Sequence, residues 1–547
     1  MPQFVPFDRV IILALDSVCW EVLLPLVADK TMPALGAFLR KAGYGVLEST
    51  VPPHTAAAWT TFLTGSDPGR HGVIDFVGFD PVRQRFHFHD SSAHRQKNVL
   101  TLLSDAGISC GSIFLPCNYP PYALPGGYMV SGFETPNTHK QFTEPVELRD
   151  EVLGVSPNLH FNFEDDWEDD ATAAAFARNI DRAITSVDVL ERLAVHFQRE
   201  RPTRVQIAYL QATDILFHKA WVWARAEPDE PGHETRHEIV KKFFRRVDQM
   251  INRVFGLHSS ASQRPRLGDK TRVLRLICSD HGHGVSTGRV FVNNMLRQWG
   301  WLAPPGAWRR LGRQLALLTM DAATRHARNR EVLLDWRRTK AYMAHVGMYG
   351  FVYLNLKGRE PQGIVPPEDF ESVREALIAR FLAERLPGRD EPLFKQVLKG
   401  EQVFARKQEL NLPDLVLVPA DGFFPRCKLN RGRAVRLIPR AVGGTHRPEG
   451  IYALEGPGIA PTPGLGPRAG LADIAPTLLA VLGQPIPQSM TGIPMLKLFE
   501  PPPPVSVAQA SSLPFPGAPP AAAGQAVYSK AEEKEIEKRL ADLGYLE

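Results

Sequence analysis

The sequence predicts an α/β protein with a mostly parallel central sheet and helices on both faces of that sheet. Short apolar runs typical of strands alternate along the chain with longer amphipathic segments typical of helices, and this alternation is characteristic of parallel α/β sheets. Aspartates and histidines directly follow several of the apolar runs. Open α/β sheets bind ligands outside the carboxyl ends of their strands, so these residues are candidates for a functional site.

The strands are predicted where apolar and β-branched residues form a short run that stops at a polar residue. The run at residues 10–15 stops at Asp16, and the run at 273–279 stops at Asp280. The predicted strands cover residues 10–15, 44–50, 109–114, 204–210, 272–279 and 413–418.

The helices are predicted where apolar residues recur at spacings of three and four. Pro52 and Pro53 disfavour helix before Thr55, and the alanines after it favour helix. Thr55 is therefore expected at a helix N-terminus. The predicted helices cover residues 55–64, 95–106, 172–200, 233–257, 369–385 and 470–482.

Composition excludes several classes of protein. A net charge of +5 over 547 residues is small, so it gives no indication of a nucleic-acid partner. No apolar run approaches the ~20 residues that a membrane span requires, and the short run at 10–15 leads into Asp16 rather than into a cleavage site for export. The five cysteines are widely spaced and mostly lie in apolar stretches, which predicts reduced core residues and a cytoplasmic protein. The oligomeric state stays open.

Two regions depart from the predicted α/β pattern: one lies inside the main domain at residues 1–500, and the other follows it. The stretch at about 290–410 reads as an inserted cap that contains a long basic helix, which is either a solvated helix face or a surface that attracts an anion. Residues 501–527, rich in Pro and Ala, read as a linker. Residues 528–547 read as a terminal helix with a capping box formed by Ser529 and Glu532. The basic residues of the cap helix are Arg309, Arg310, Arg313, Arg325, Arg328, Arg330, Arg337, Arg338 and Lys340.

Candidate metal ligands stand at the predicted strand ends and helix starts. Carboxylates and imidazoles are the ligands that zinc or manganese accepts in hydrolytic sites, and a threonine at a helix N-terminus lies where the backbone favours an anion. Each residue alone has a simpler explanation, such as a polar strand end or an N-cap threonine. Their joint occurrence favours a site for two divalent metals and a phosphate. The set is Asp16, Thr55, Asp214, His218, Asp280, His281 and His446.

Two further features near these residues have open interpretations. His283 follows the Asp280–His281 pair, but Gly282 and Gly284 suggest a tight turn. We therefore expect that His283 is not a metal ligand and at most supports one. A basic stretch precedes His446, and it either guides an anionic substrate or forms a solvated loop. The stretch contains Arg426, Lys428, Arg431, Arg433, Arg436 and Arg440.

Several motifs together resemble the alkaline phosphatase superfamily, in particular its type I phosphodiesterase and nucleotide pyrophosphatase branch with the related phosphohydrolases and phosphomutases. The resemblance extends over roughly residues 8–500. The motifs are LALD at 13–16, PPHTAAAWTTFLTGSDPGRHG at 52–72, VSGFETP at 130–136, AYLQATD at 208–214, SDHG at 279–282 and GGTH at 443–446, with LGYLE at 543–547 as a further likeness.

The resemblance implies an alkaline phosphatase-like fold and assigns the ligands to two divalent metals, which it implies are zinc, with manganese as the alternative. Asp214, His218 and His446 would hold one ion. The other ion would be held by Asp16, Asp280, His281 and the Thr55 oxygen. Family members usually carry a phosphate-binding asparagine shortly after the threonine, whereas this chain has alanines at 56–58, which leaves the backbone N–H of Ala56 as a candidate for that role. The sulfatase motif is also missing around Thr55.

The predicted activity is hydrolysis of a small anionic phosphate ester. Two ions about 4 Å apart would activate the Thr55 hydroxyl for attack on phosphorus, and water would then hydrolyse the phosphothreonine. Two alternatives remain at this point. One is a phosphomutase that uses the same ligands, and the other is a binding protein without activity on the same fold.

Overall fold

The computed structural model describes most of the chain. The described residues are 4–93, 97–161, 167, 172–225, 232–257, 271–306, 334–344, 347–405, 407–430, 432–439, 442–508 and 527–542.

The described strands are numbered in chain order. They are β1 (Arg9–Leu15), β2 (Gly43–Glu48), β3 (Val77–Asp80), β4 (Arg85–Phe88), β5 (Cys110–Ile113), β6 (Tyr128–Val130), β7 (Thr143–Glu144), β8 (Val205–Leu210), β9 (Val273–Cys278), β10 (Gly282–Val285), β11 (Gly288–Phe291), β12 (Ala341–Met343), β13 (Gly350–Leu354), β14 (Phe394–Lys399), β15 (Leu415–Pro419), β16 (Phe423–Arg426), β17 (Val435–Leu437), β18 (Gly444–Arg447), β19 (Glu449–Glu455), β20 (Ala469–Gly470), β21 (Ile486–Pro487) and β22 (Val507–Ala508).

The described α-helices are numbered in the same way. They are α1 (Trp20–Ala28), α2 (Pro33–Leu39), α3 (Thr55–Thr64), α4 (Pro68–His71), α5 (Val99–Asp105), α6 (Leu148–Val155), α7 (Ala173–Glu200), α8 (Ala212–Ala224), α9 (His233–Phe255), α10 (Val292–Gln298), α11 (Phe370–Ala383), α12 (Gly400–Val403), α13 (Lys407–Leu410), α14 (Ile474–Val481) and α15 (Lys530–Asp542).

The central sheet has nine strands in the order β20-β2-β19-β9-β1-β8-β5-β6-β7. Strand β1 lies in the middle and pairs in parallel with β8 and β9, while β19 runs antiparallel to both of its neighbours. The sheet is therefore mixed but mostly parallel. The predicted α/β class is confirmed, and the strands predicted around 10–15, 44–50, 109–114, 204–210 and 272–279 all lie in this sheet.

The two faces of the sheet are covered by different helices, as the alternation of strand side chains requires. Val205 and Ile207 of β8 belong to a buried apolar cluster that includes residues of α3, α5 and α14. Gln206, which lies between them, points to the other face and donates a hydrogen bond to the Ala194 carbonyl of α7. Asp16, at the carboxyl end of β1, lies next to this core and is completely buried.

The prediction for residues 413–418 is wrong in one respect. The segment is a strand, β15, but it pairs antiparallel with β13 and β14 and belongs to a separate four-stranded sheet. A short apolar run specifies a buried strand without specifying its partner, so the sequence pattern placed it in the wrong sheet.

The chain divides into two compact units. The first unit contains residues 1–73, 90–284 and 442–527, and the second contains 74–89, 285–441 and 528–547. The second unit has the four-stranded sheet, a three-stranded sheet of β16, β11 and β17, and the β3–β4 hairpin. The insert was predicted at about 290–410, so this unit is longer than that segment and includes the terminal helix. The predicted basic helix falls largely at 307–333, outside the described residues.

The terminal helix α15 begins with the predicted capping box. The Ser529 hydroxyl accepts a hydrogen bond from the Glu532 N–H, and the Glu532 carboxylate accepts one from the Ser529 N–H. Tyr528, Ile536 and Leu540 are buried, and the Tyr528 ring contacts Phe88 of β4. The helix is therefore an integral part of the second unit.

Removing residues 527–547 should lower the stability of the second unit and leave metal binding by the first unit intact. Three buried apolar side chains would be lost, each of which contributes about 1.5–3 kcal/mol when fully buried. Thermal unfolding and elemental analysis of the truncated protein check this expectation. A truncated protein with wild-type stability, or one that has lost its metal while remaining folded, would contradict it.

No single helix among the described residues is long and apolar enough to cross a membrane. Helices α1 and α2 together have the length and apolar composition of a span, but their axes are bent by 105°.

Candidate metal centre

All seven predicted site residues lie in the first unit, close to the carboxyl ends of its parallel strands. Asp16 follows β1, and Asp280 and His281 follow β9. Asp214 lies in the first turn of α8, directly after β8, and Thr55 is the first residue of α3. Because β1, β8 and β9 are adjacent and parallel, their ends bring these side chains together.

One group of potential ligands is rich in histidine and consists of Asp214, His218, His283 and His446. The Nε2 atoms of His218 and His446 are 2.9 Å apart. The Asp214 Oδ1 atom lies 3.4 Å from the first of them and 3.3 Å from the second. His283 Nδ1 is 3.8 Å from the same oxygen. We call these four residues the histidine-rich group.

The other group consists of Asp16, Asp214 and His281, and we call it the aspartate-rich group. His281 Nε2 is 3.7 Å from Asp16 Oδ1 and 3.1 Å from Asp280 Oδ2. The same nitrogen lies 3.2 Å from Thr55 Oγ1. Asp214 is shared by both groups, and Asp280 and Thr55 border the second.

His283 is closer to the candidate ligands than the sequence predicted. The expected tight turn is instead strand β10, which pairs with β18 and so lies beside His446. His281 directly precedes this strand, and the only sequence signal for the position of His283 was its closeness in the chain to the Asp280–His281 pair. A second residue missed by the sequence interpretation is Tyr209 of β8, whose hydroxyl donates a hydrogen bond to Asp16 Oδ2.

The glycine pair before His446 allows its strand to approach the other ligands. A Cβ atom on Gly443 would lie 1.8 Å from the His218 carbonyl oxygen. A Cβ atom on Gly444 would lie 2.4 Å from the ring of His283. Both distances are far inside van der Waals contact, so only glycine lets this backbone pass and places His446 beside His218.

The helix N-cap beside Thr55 is His54, not Thr55. His54 has an extended backbone and its Nδ1 atom accepts a hydrogen bond from the Ala56 N–H over 3.3 Å. An N-cap role would have explained the presence of Thr55 without any catalytic function, but His54 has that role. The same contact engages the Ala56 N–H, which the sequence had suggested as a phosphate donor.

The carboxylates at the strand ends are buried and crowd one another. Burial, reinforced by the charges of Asp280 and Asp214, holds the pKa of Asp16 well above its ordinary value. Burial raises the pKa of Asp280 to about 7 against the lowering effect of the Ser17 N–H. Within the described part of the chain, Asp16 Oδ1 and Asp280 Oδ2 accept no hydrogen bond. Unneutralised carboxylates in such a place are costly.

Burial shifts the pKa values of the histidines in the opposite direction, because it disfavours their charged form. Burial lowers the pKa of His218 to about 4, and it also holds the pKa values of His281 and His283 well below the usual range. Burial alone would raise the pKa of Asp214, but the nearby imidazoles of His218 and His446 outweigh it and hold that pKa well below its ordinary value. Neutral imidazoles facing a charged carboxylate are the protonation states that metal binding requires.

These residues fit two divalent ions. Two imidazole nitrogens 2.9 Å apart beside a carboxylate oxygen match ligands that share one ion, and the buried acceptor oxygens of Asp16 and Asp280 match a second. The outer nitrogens are also positioned: Nδ1 of His446 donates to the Pro53 carbonyl over 3.1 Å. Such an outer hydrogen bond fixes the tautomer of a metal-binding histidine.

Metal affinity should weaken as the pH falls below about 7. The Asp280 carboxyl has its pKa raised to about 7, so it is protonated below that pH, and a bound ion must displace the proton. One displaced proton corresponds to about a tenfold loss of affinity per pH unit. Chelator competition at several pH values measures this. An affinity that stays constant from about pH 5.5 to 8 would show that this carboxyl does not contribute.

Only part of the basic stretch before His446 lies among the residues that the structure describes. Arg431 and Arg440 lie outside the described residues, and Arg426, Lys428, Arg433 and Arg436 belong to the second unit. Arg426 places its guanidinium 4.6 Å from the ring centre of Phe424. Guidance of a substrate by this stretch stays a prediction.

Comparison with known proteins identifies the family. The family model for type I phosphodiesterase / nucleotide pyrophosphatase matches residues 10–439, and no curated protein matches the sequence. The structure of phosphonoacetate hydrolase from Sinorhizobium meliloti 1021 with phosphonoacetate is similar, with a TM-score of 0.52 and 16% identity over 87% of this chain and 95% of that chain.

Human ectonucleotide pyrophosphatase / phosphodiesterase 5 is similar with a TM-score of 0.50 and 13% identity, over 90% of this chain and 98% of that chain. At such identities the two structures show a shared fold, whereas the family model extends over most of the sequence. The chain therefore belongs to the type I phosphodiesterase/nucleotide pyrophosphatase family of the alkaline phosphatase superfamily, a family of phosphodiester and pyrophosphate hydrolases.

Proposed function

We propose that the protein is a two-metal phosphodiesterase that uses Thr55 as its nucleophile. The observation that carries the proposal is the position of the Thr55 hydroxyl, 3.2 Å from His281 Nε2 and at the N-terminus of α3. An anionic phosphoryl group at this place would be stabilised by the positive end of the helix dipole. Family membership supports the reaction class.

The two groups suggest different preferences among metals. The histidine-rich group offers the imidazoles of His218 and His446 and the Asp214 carboxylate, with the His283 ring beside them, and such a set favours zinc. The aspartate-rich group offers mainly oxygen ligands, which suit manganese as well as zinc. When bound, such ions neutralise charge on the phosphoryl oxygens and lower the pKa of a nearby hydroxyl.

The residues of the chain then have separate tasks in a double displacement. Thr55 Oγ1 forms a bond to phosphorus while the bond to the ester oxygen breaks, and the leaving oxygen takes up a proton. Water next attacks phosphorus and releases Thr55, so the net reaction is hydrolysis. Tyr209 holds Asp16 through its hydroxyl, and Pro53 holds the ring of His446. The substrate is a small anionic phosphate ester.

A panel of nitrophenyl phosphodiesters and monoesters, assayed with zinc and with manganese, tests the proposal. We expect turnover that depends on added metal and favours diesters. Reaction in isotopically labelled water separates hydrolysis from the alternative phosphomutase activity, because only hydrolysis introduces solvent oxygen into the product. A protein that binds metal and substrate without any turnover would instead be a binding protein.

A further inference from the structure

Ser17 has a backbone conformation that a serine rarely adopts. It directly follows Asp16, is completely buried and has a φ of 66°. For residues with a Cβ atom this left-handed region costs about 1–2 kcal/mol relative to the right-handed one, whereas glycine enters it without strain. A serine at such a position suggests that its side chain makes contacts that compensate for this cost.

The contacts of Ser17 reach both metal groups. Its backbone N–H donates to Asp280 Oδ1 over 3.1 Å. Its hydroxyl oxygen lies 3.3 Å from His281 Nδ1 and 2.6 Å from His283 Nδ1. His281 belongs to the aspartate-rich group and His283 to the histidine-rich group. A single hydroxyl therefore bridges the two groups.

The proton positions in this bridge follow from the partners. His281 Nδ1 also faces the Gly282 carbonyl oxygen at 3.2 Å, and a carbonyl can only accept, so the proton of His281 lies on Nδ1. Its Nε2 lone pair then points toward Thr55 and the carboxylates. The Ser17 oxygen accepts from His281 and, having one proton, donates it to His283 Nδ1. Both rings are thereby fixed in tautomer and orientation.

We propose that Ser17 is a positioning residue that sets the geometry of both metal groups through this shared hydroxyl. Hydrogen bonds of this outer kind change metal affinity by about 10–100-fold when they are removed. With its Nδ1 committed to Ser17, His283 supports the histidine-rich group instead of ligating through that atom. The inference rests on the proposed metal-dependent function.

Ser17→Gly separates this role from a purely structural one, because the two roles predict opposite results. Glycine relieves the strain at φ 66° and keeps the N–H that binds Asp280, which offsets the loss of the buried hydrogen bonds of the hydroxyl, so the metal-free protein should be close to wild type in stability. Loss of the hydroxyl should nevertheless weaken the binding of both ions by about 10–100-fold. Chelator competition with zinc and thermal unfolding of the metal-free protein measure the two effects.

Lys30 provides a matched control, since it also has a φ of 66° and its side chain is exposed. Lys30→Gly should relieve similar strain and leave metal affinity unchanged. If Ser17→Gly binds both ions like wild type, Ser17 is only structural, and if only one ion is affected, the bridge between the groups is wrong. Wild-type protein that binds no zinc would defeat the proposed function itself.

Discussion

Thr55→Ala is expected to reduce turnover by about three orders of magnitude or more, as loss of a covalent nucleophile does in other hydrolases. The Thr55 hydroxyl lies 3.2 Å from His281 Nε2 of the aspartate-rich group, and alanine removes it. The helix remains, because His54 provides the cap, and the only atoms lost are the hydroxyl and the methyl group on Cβ. We therefore expect a change in the free energy of unfolding within about 1 kcal/mol, together with normal metal content.

Steady-state kinetics and elemental analysis of Thr55→Ala and Thr55→Ser check this expectation. Thr55→Ser keeps the oxygen and should retain part of the activity. Thr64→Ala is the matched control, because Thr64 is a buried residue of the same helix whose hydroxyl donates to the Thr60 carbonyl. That variant should remain active.

Stereochemistry at phosphorus provides an independent test of the same role. Two successive in-line displacements give net retention with a chiral thiophosphate substrate, and a single attack by water gives inversion. Inversion, or a Thr55→Ala variant with activity near that of wild type, would remove the nucleophile assignment.

The sequence predicted which candidate residues lie together better than it predicted what surrounds them. Asp16 and Asp280 were proposed as candidates because an apolar strand that ends in a carboxylate is a local pattern, and parallel strands bring such ends together at one edge of the sheet. The i,i+4 spacing of Asp214 and His218 is likewise local, because it fixes one helix face. These patterns need no knowledge of distant contacts.

What the sequence did not reveal depends on distant partners. The strand that contains His283 was not predicted, because β10 is a strand only through its pairing with β18, more than a hundred residues later. The position of β15 depends on β13 and β14, which its own residues do not encode. The cap by His54 was missed because threonine is a common N-cap and histidine a rare one, so propensity pointed to the wrong residue.

Asp214→Asn should abolish activity and release both ions. Asp214 is the residue common to the histidine-rich and aspartate-rich groups, and its Oδ1 atom lies 3.3 Å from His446 Nε2 and 3.4 Å from His218 Nε2. Asparagine has nearly the same shape but no charge, so packing is retained while the charged ligand is lost. Asp16 belongs to only one group, so Asp16→Asn should lose one ion and keep the other.

Elemental analysis then gives a graded result: about two ions per chain in wild type, about one in Asp16→Asn and none in Asp214→Asn. Asp248→Asn is the matched control, because Asp248 is also buried in the first unit but accepts the backbone N–H groups of Ala34 and Leu35. It should keep both ions. If Asp214→Asn retained a tightly bound ion with substantial turnover, Asp214 would not join the two groups, and each ion would have to be held by its remaining ligands alone.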